Sequence, residues 1–473
     1  MSSFRGASRR SASQKPLSVR EREKVEHLLE VWRAKLPRNR LRRTYYDAKN
    51  SLKDLGIAIP PDLLGRLDAV VGWPAKSVNL PAARSVFDGF AFTDAEALEQ
   101  DMLNILNANN FRAKYPKVTK GQLMQSCCFA TLSRGGKNEP EVIISAYSAE
   151  HAAATWDHRL ERIGDGITIP CTDESGEPEK VNLYLDDQIV EIKIVNDEYE
   201  VLQRHFHKVG RPLMEVFAFE PSLDRPFGHS RISRAVMSIT DAAVRGAFRS
   251  EVAAETFTSP FRYALGIDSK DDQERFKAWI GYILALGPNS EGETPTLGQL
   301  TPTGIREHIE NRKDLAAQFS GETGIPISSL GIIHDNPTSA EAIHAAREDL
   351  ILITEDLNNS NGQALRNIGL MIMAIRDNVP ISRLTDVQKS ITPRFKNPAR
   401  PSLAGMADAT SKLAVAFPHL AYSAVFLERA GFNESDIMRM RGDLTEARAI
   451  GDLDRLLASL PSIDSLGDFD DTS

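Results

Sequence analysis

A chain of 473 residues with 41% hydrophobic content can bury a sizeable core and has room for two to four structural units. Its most apolar run, Gly369 to Ile375, is far too short to span a bilayer, and the polar, basic N-terminus holds no apolar signal core. A cytosolic protein is therefore expected. The net charge of -8 is unevenly spread: residues 1–50 carry 14 Lys/Arg against 5 Asp/Glu, whereas the tail after Pro461 holds Asp464, Asp468, Asp470 and Asp471 and no base. An acidic chain argues against clinging to duplex DNA over a wide face, while a basic head suits nucleic acid or an acidic partner. Met1 to Leu17, rich in Ser and Arg, reads as a disordered arm. Cys127 and Cys128 are adjacent and Cys171 stands alone, which gives neither a disulfide framework nor a zinc site, so buried, inert thiols are expected.

Ser18 caps the first helix, and Glu21, three residues on, completes a capping box. Val25, Leu28, Leu29 and Trp32 form the apolar side of that helix, and the basic run RNRLRRTYYDAKN (Arg38–Asn50) follows. Pro60 and Pro61 mark a turn, and Leu63 to Val71 reads as helix. Gly72 to Phe92 reads as a turn, a short helix holding Arg84 and a strand. Asp94 is expected to cap a helix through Leu106, and Gly121 to Leu132 reads as another, buried helix. Glu141–Ala146, Gly166–Pro170, Val181–Tyr184, Ile189–Ile194 and Tyr199–His207 read as strands of an antiparallel sheet. Alternation puts His205 and His207 on one strand face. Two histidines begin a metal site, but no third ligand is evident, and residues on a strand surface are the plainer reading.

Pro226, Gly228 and Ser230 lead into a helix from Arg231 to about Phe257. Ile232, Val236, Ile239 and Ala243 make one apolar stripe; Met237, Val244, Phe248 and Val252 make a second on nearly the opposite side. A helix apolar on two sides is buried on two sides, either in a monomer's core or between ring neighbours. Arg231, Arg234, Arg245 and Arg249 fall together between the stripes, facing DNA, a neighbour's acids or solvent. A small α/β insert follows: a strand at Phe261–Ile267, a helix at Asp271–Leu286, a Gly/Pro/Glu-rich loop to Thr296 and a strand at Leu297–Leu300. A second helix, Thr303 to Phe319, flanks it, and Gly324, Ile325 and Pro326 end the unit.

The stretch from Gly331 to Ala374 organises what comes after. Pro337 stops the preceding loop, and Thr338 with Glu341 forms a capping box. Apolar residues then recur at Ile343, Ala346, Leu350, Ile353, Leu357, Ala364, Ile368, Met371 and Ile375, one helix stripe with a polar step at Asn361. From Thr338 to Arg376 this spine would span roughly 58 Å, with a kink or break expected at Ser360, Asn361 and Gly362. Thr392 to Pro401 reads as extended, and three shorter helices fill Leu403 to Leu460, one capped by Asn433. Phosphate-loop, HExxH, GxSxG and CxxC motifs are absent, so nothing points to an enzyme.

Five stretches, in order and spacing, resemble the portal protein of tailed double-stranded-DNA bacteriophages, nearest the branch in long-tailed phages of actinobacteria. They are RRTYYDAKN with Pro60–Pro61, VVGWPAKSVNLPAARSVFDGF (through Trp73, Val78, Arg84, Gly89 and Phe90), FGHSRISRAVMSITDAAVR, GIPISSLGIIHDNPTSAEAI, and FKNPARPSLAGMADATSKL. Together they span about Arg42 to Arg448.

The resemblance implies an α+β, mainly helical, portal-type ring subunit. Its parts would be a disordered basic arm (1–17), a wing (18–225), a stem helix (226–257), a clip (258–302), a returning stem helix (303–324), a tunnel loop with the long spine helix (325–378), a crown (379–460) and an acidic tail (461–473). It further implies a dodecameric ring at one capsid vertex, the channel for DNA packaging and ejection. Ile332, Ile333, His334, Asp335 and Asn336 would face the DNA; Ile232, Val236, Ile239, Met237, Val244 and Phe248 would make subunit contacts in the stem. Arg231, Arg234, Arg245 and Arg249 would face DNA or a neighbour. The implied partners are further copies of the chain, the terminase large subunit, a head-completion adaptor, major capsid and scaffolding proteins and double-stranded DNA, with no cofactor, metal or membrane. The expected location is the virion, and the host cytoplasm during assembly. A capsid scaffolding or structural protein without a channel, and a nuclease or terminase subunit, are the alternatives.

Overall fold

A computed structural model describes residues 15–51, 69–196, 198–258, 262–265, 296–299, 305–332, 340–399, 403–417, 423–432 and a few positions between 436 and 443. The chain forms two units, Met1–Pro398 and Ala399–Ser473.

Within the first unit, helix α1 (Val19–Tyr46) begins as its sequence dictates, with the Ser18–Glu21 capping box formed in both directions. Burial raises the Glu21 pKa, but hydrogen bonds from Arg204 and Ser18 outweigh it and hold the carboxyl at about 2. Val25, Leu28, Leu29 and Trp32 are buried against Ile167, Val181, Leu183, Val190 and Ile192. Each such side chain contributes about 2 kcal/mol by leaving water. Those residues belong to a five-stranded antiparallel sheet of β4 (Ala152–Asp157), β5 (Arg162–Thr172), β6 (Pro178–Tyr184), β7 (Gln188–Val195) and β8 (Glu198–Phe206), in that order. Ala153, Ile167, Ile169, Val181, Leu183, Val190 and Ile192 of these strands form the face that α1 covers.

The second layer holds α2 (Trp73–Arg84), β1 (Phe87–Ala91), α3 (Glu96–Ala108), α4 (Phe111–Gln125), β2 (Cys127–Arg134), β3 (Val142–Ser148) and β9 (Met214–Ala218). β2 is the middle strand of a sheet ordered β3-β2-β9. Helix α3 is not capped by Asp94: Ala95 occupies the cap position without a side-chain bond, and Asp94 adopts φ 53°. The carboxylate that closes this turn is Glu99, which accepts the Phe92 amide at 3.0 Å. The predicted buried helix over Gly121 to Leu132 is two elements. α4 ends at Gln125, Ser126 turns the chain at φ 89°, and β2 folds back so that a Cβ on Gly121 would lie 2.5 Å from the Cys128 sulfur. Helix end and strand are both buried, so periodicity does not mark the boundary between them.

Cys127 and Cys128 are buried, and burial pushes the Cys127 thiol to about 11 and Cys128 higher still; Cys171, contrary to expectation, is exposed. His205 lies exposed beside Glu191 at 2.9 Å, whereas His207 falls just past the end of β8, half-buried, and burial lowers its pKa against the opposing pull of the Leu185 backbone and Asp187. Both line one cavity of about 550 Å³, together with Tyr184 and Glu191. Among the described residues no cluster of three or more His, Cys, Asp or Glu gathers as a metal site would, and no helix is long and apolar enough to cross a membrane. Of the Leu63–Val71 expectation, Ala69 to Val71 are not helical and the rest lies outside the described residues.

Helices α5 (Arg234–Thr258) and α6 (Ile305–Thr323) pack along each other. Strands β10 (Arg262–Leu265) and β11 (Thr296–Gln299), which fall between them in sequence, pair antiparallel. The helix expected at Asp271–Leu286 lies outside the described residues. A short 3-10 turn (Ile327–Leu330) leads from α6 towards the spine α7 (Ala340–Asp377). The short α8 (Asp386–Lys389) and β12 (Thr392–Phe395) follow, and β12 pairs with β1. Spine α7 runs unbroken through Ser360, Asn361 and Gly362, so the expected break is absent. The polar residues there point into the body instead of unwinding the helix. Ser360 donates to the Ala218 carbonyl at 2.8 Å; Asn361 donates to the Tyr115 hydroxyl at 3.0 Å and accepts from Gln122 at 2.8 Å. Ser85, beside the same hydroxyl at 2.8 Å, donates to Asn358 at 2.7 Å. Asn361, Gln122 and Ser85 are all but fully buried. A buried network of this kind favours one register of spine against α4 and α2, since a slipped register would strand more of its polar groups than the one left unpaired here, the Gln122 Oε1.

In the second unit, α9 (Leu403–Ala416) and α10 (Ala424–Arg429) pack together, the latter capped by Ser423. The cap expected at Asn433 lies outside the described residues.

Candidate assembly and DNA-facing surfaces

The approach to α5 is locked residue by residue. Gly228 sits at φ 69°, and a Cβ there would lie 2.2 Å from the Phe219 carbonyl oxygen, so only glycine fits. The His229 amide donates to that oxygen at 2.7 Å, the Ser230 hydroxyl to the Met124 carbonyl at 2.6 Å, and the Arg231 amide to the Leu123 carbonyl at 2.9 Å. The segment is thereby fastened to the last turn of α4, whose terminal carbonyls lack helical partners.

Arg231 precedes the helix and turns inward, so it does not join Arg234, Arg245 and Arg249 on a DNA- or neighbour-facing stripe. Its guanidinium lies 5.7 Å over the Phe219 ring, Nε donates to the Ser77 carbonyl at 2.8 Å, and Nη2 donates to the Thr323 carbonyl at the end of α6. Burial lowers its pKa to about 10. It is a cation set at the negative end of α6 that ties α2, α5 and α6 together. Arg231→Met keeps the stem of the side chain and strands two carbonyls. We expect a loss of about 3 kcal/mol, read as a shift of the urea midpoint; a shift corresponding to less than about 0.5 kcal/mol would reduce this clamp to packing.

Arg234 is exposed, Arg245 and Arg249 are half-buried, and Arg249 keeps a buried Nε without a partner. Arg234 and Arg245 line a groove of about 590 Å³ with Lys49, Met237 and Asp241. Its floor is set by Tyr45, whose hydroxyl bonds Asp241 at 2.9 Å and so ties the end of α1 to α5. Neither Tyr45 nor Asp241 carried a sequence signal beyond the run they sit in.

The expected subunit contacts divide. Ile232, Val236, Val244 and Phe248 are at most 3% exposed within the single chain. Ile232, Val236 and Val244 share a core with Trp73, Ala316, Phe319 and Leu350. These four side chains therefore have no surface left for a neighbour; of the second stripe, Val244 and Phe248 are buried by this chain itself, while Met237 and Val252 are half-buried. Met237 and Ile239 are half-buried and border the same core. Of the expected tunnel loop, Ile332 is half-buried against that core, next to Gly331 at φ 86°. Ile333, His334, Asp335 and Asn336, like the Thr338 cap, lie outside the described residues.

Comparison with known proteins adds to this geometry. The sequence profile described as "Phage portal protein, SPP1 Gp6-like" matches residues 25–418. Among curated relatives, the portal protein of Mycobacterium phage L5 is 27% identical over 390 residues, covering 78% of this chain and 77% of the relative. That of Mycobacterium phage D29 is 26% identical over 388 residues, with the same coverage. Solved structures of gene transfer agent particles are similar at low identity. One chain of a native virion reaches a TM-score of 0.44 at 13% identity, covering 80% of this chain and 95% of its own. One from the neck of an empty particle reaches 0.45 at 14%, covering 73% and 86%. A profile that runs from the apolar stripe of α1 to the end of α9 places the chain as a whole: it belongs to the phage portal proteins of the SPP1 Gp6-like family.

Proposed function

We propose that this portal-family chain assembles as a closed, dodecameric ring at one capsid vertex, a structural channel through which double-stranded DNA enters and leaves, with no catalytic step of its own. Residues 18–225 form the wing, 226–257 and 303–324 the two stem helices, 258–302 the clip, 325–378 the tunnel loop and spine, and 379–460 the crown. The clip docks the terminase large subunit during packaging and the head-completion adaptor afterwards; capsid and scaffolding proteins are the remaining partners. Assembly takes place in the host cytoplasm.

The observation that carries this reading is the helix pair α5–α6 with the antiparallel β10–β11 pair between the two in sequence, and a 38-residue spine helix after them. A compact shell protein has no need of a small unit projected between two long helices. A net charge of -8 also lets DNA slide rather than stick. Negative-stain images and native mass of the purified chain test the reading, and rings with a central hole are expected. The same rings with the 287–296 loop exchanged should no longer capture terminase or adaptor. Shells, or monomers at every accessible concentration, would overturn the ring; unchanged capture would move docking away from the clip.

A further inference from the structure

α1 carries more positive charge than its own contacts use. Four of its nine cations are paired: Arg22 with Glu26 at 2.9 Å, Lys24 with Asp165 at 2.8 Å, Arg33 with Glu177 at 2.9 Å and Arg43 with Glu150 at 3.0 Å. Lys35, Arg38 and Arg42 stand apart from the rest by gathering at one cavity. Spaced three and four apart, they form one stripe, and that stripe faces a cavity of about 360 Å³ between α1, the start of β2 and the segment 224–229. Arg225 and His229 reach the same cavity, against the one carboxylate of Asp224. Among the described residues none of Lys35, Arg38, Arg42 and Arg225 forms an ion pair with a carboxylate. Arg42 donates to the Gln125 carbonyl at 3.0 Å, and burial together with the like charge of Arg38 lowers its pKa to about 10. An anion seated in the cavity would relieve that repulsion.

The remaining wall is apolar. Trp32, Phe129, Ala153 and Phe227 line it, with the Phe129 and Phe227 rings 6.1 Å apart. A recessed aromatic floor under a cationic rim asks for a ligand with both characters. We propose that this cavity docks an acidic peptide segment of a partner chain, its carboxylates on Lys35, Arg38 and Arg42 and one apolar side chain on the Phe129–Phe227 floor. Duplex DNA fits less well: its phosphates run along an outer surface and would leave the recessed floor unfilled, and the chain as a whole is acidic. Concave sites with an apolar body and a few placed charges are the usual form of a peptide or small-ligand pocket.

The test is fluorescence anisotropy of the purified full-length protein. The probe is a short labelled peptide in which Asp and Glu alternate with Phe and Leu; an oligonucleotide, single- or double-stranded, serves as competitor. Lys35 and Arg38 are exposed, so Lys35→Glu/Arg38→Glu should keep the melting temperature while weakening the peptide at least tenfold. Phe227→Ala should weaken it less, and an amide version of the peptide should bind no better to wild type than the acidic one binds the double variant. If the charge reversal does lower the melting temperature, Lys35→Gln/Arg38→Gln replaces it with the same expectation. Equal affinity of wild type and variant for the acidic peptide would overturn the proposal. So would an oligonucleotide that binds more tightly than the peptide and loses affinity in the same variants, because the cavity would then be a nucleic-acid site.

Discussion

Val244→Asp should abolish the cooperative unfolding transition of the protein rather than release a folded monomer from its ring. Val244 is 3% exposed in the single chain, in the core that joins α5, α6 and the spine. The core it belongs to is built of apolar side chains, among them Trp73, Ala316, Phe319 and Leu350. Arg231, the nearest buried cation in sequence, already donates to two carbonyls and lies over an aromatic ring. Burying an unpaired charge costs on the order of 4 kcal/mol or more, against a total stability of about 5–15 kcal/mol for a folded domain. Val244→Ala, which only opens a cavity, should cost about 2 kcal/mol and leave assembly intact. Circular dichroism with urea titration, run beside native mass, separates two outcomes. Loss of cooperative unfolding places the side chain in the protomer core. A monomer that is fully helical and cooperative but cannot assemble would mean that Val244 meets a neighbour, and the core assignment would fall.

Shortening Ile333–Asn336 to two glycines should leave rings visible and yet strip heads of most of their packaged DNA. We propose that His334, Asp335 and Asn336 face the channel. The segment is held at both ends. Ile332 is anchored beside the core that joins α5, α6 and the spine, after Gly331 in the left-handed region, and α7 begins at Ala340. Between these anchors the sequence supplies short polar residues. Imidazole and amide can donate to a passing phosphate, while the Asp carboxylate repels it, so contact is made without grip. Copies of such a loop around a channel would act as a compliant valve. Electron microscopy of the rings and measurement of DNA length per head are the readouts. Full-length packaging at the normal rate, from rings confirmed intact, would show that the loop has no part in holding DNA.

The sequence by itself determined the elements whose signals are local. The capping box at Ser18 and Glu21 needs only its own four residues, and the stripe Val25, Leu28, Leu29, Trp32 needs only a helix period. Strands β5 to β8 announced themselves by alternation, and Gly324 and Gly331 marked the ends that their positive φ angles now explain. The order of five motifs, none decisive alone, was enough to point to the family.

What the sequence could not decide was where equivalent residues point once elements meet. Arginines at 231 and 234 look alike in a string, yet one is drawn inward by the bare carbonyls of Ser77 and Thr323 and the other stays exposed. Two opposed apolar stripes on α5 were compatible with a neighbour or with a core, and only the placement of α6 and the spine showed that this chain covers both Val236 and Val244. The turn at Ser126 is invisible to periodicity, because helix end and strand are both buried. Asn361 read as a flaw in a helix stripe and is a hydrogen-bonding partner for Tyr115 and Gln122, residues more than two hundred positions away. Burial and hydrogen bonding between distant segments depend on which surfaces the fold brings together, and a one-dimensional pattern holds no record of that pairing.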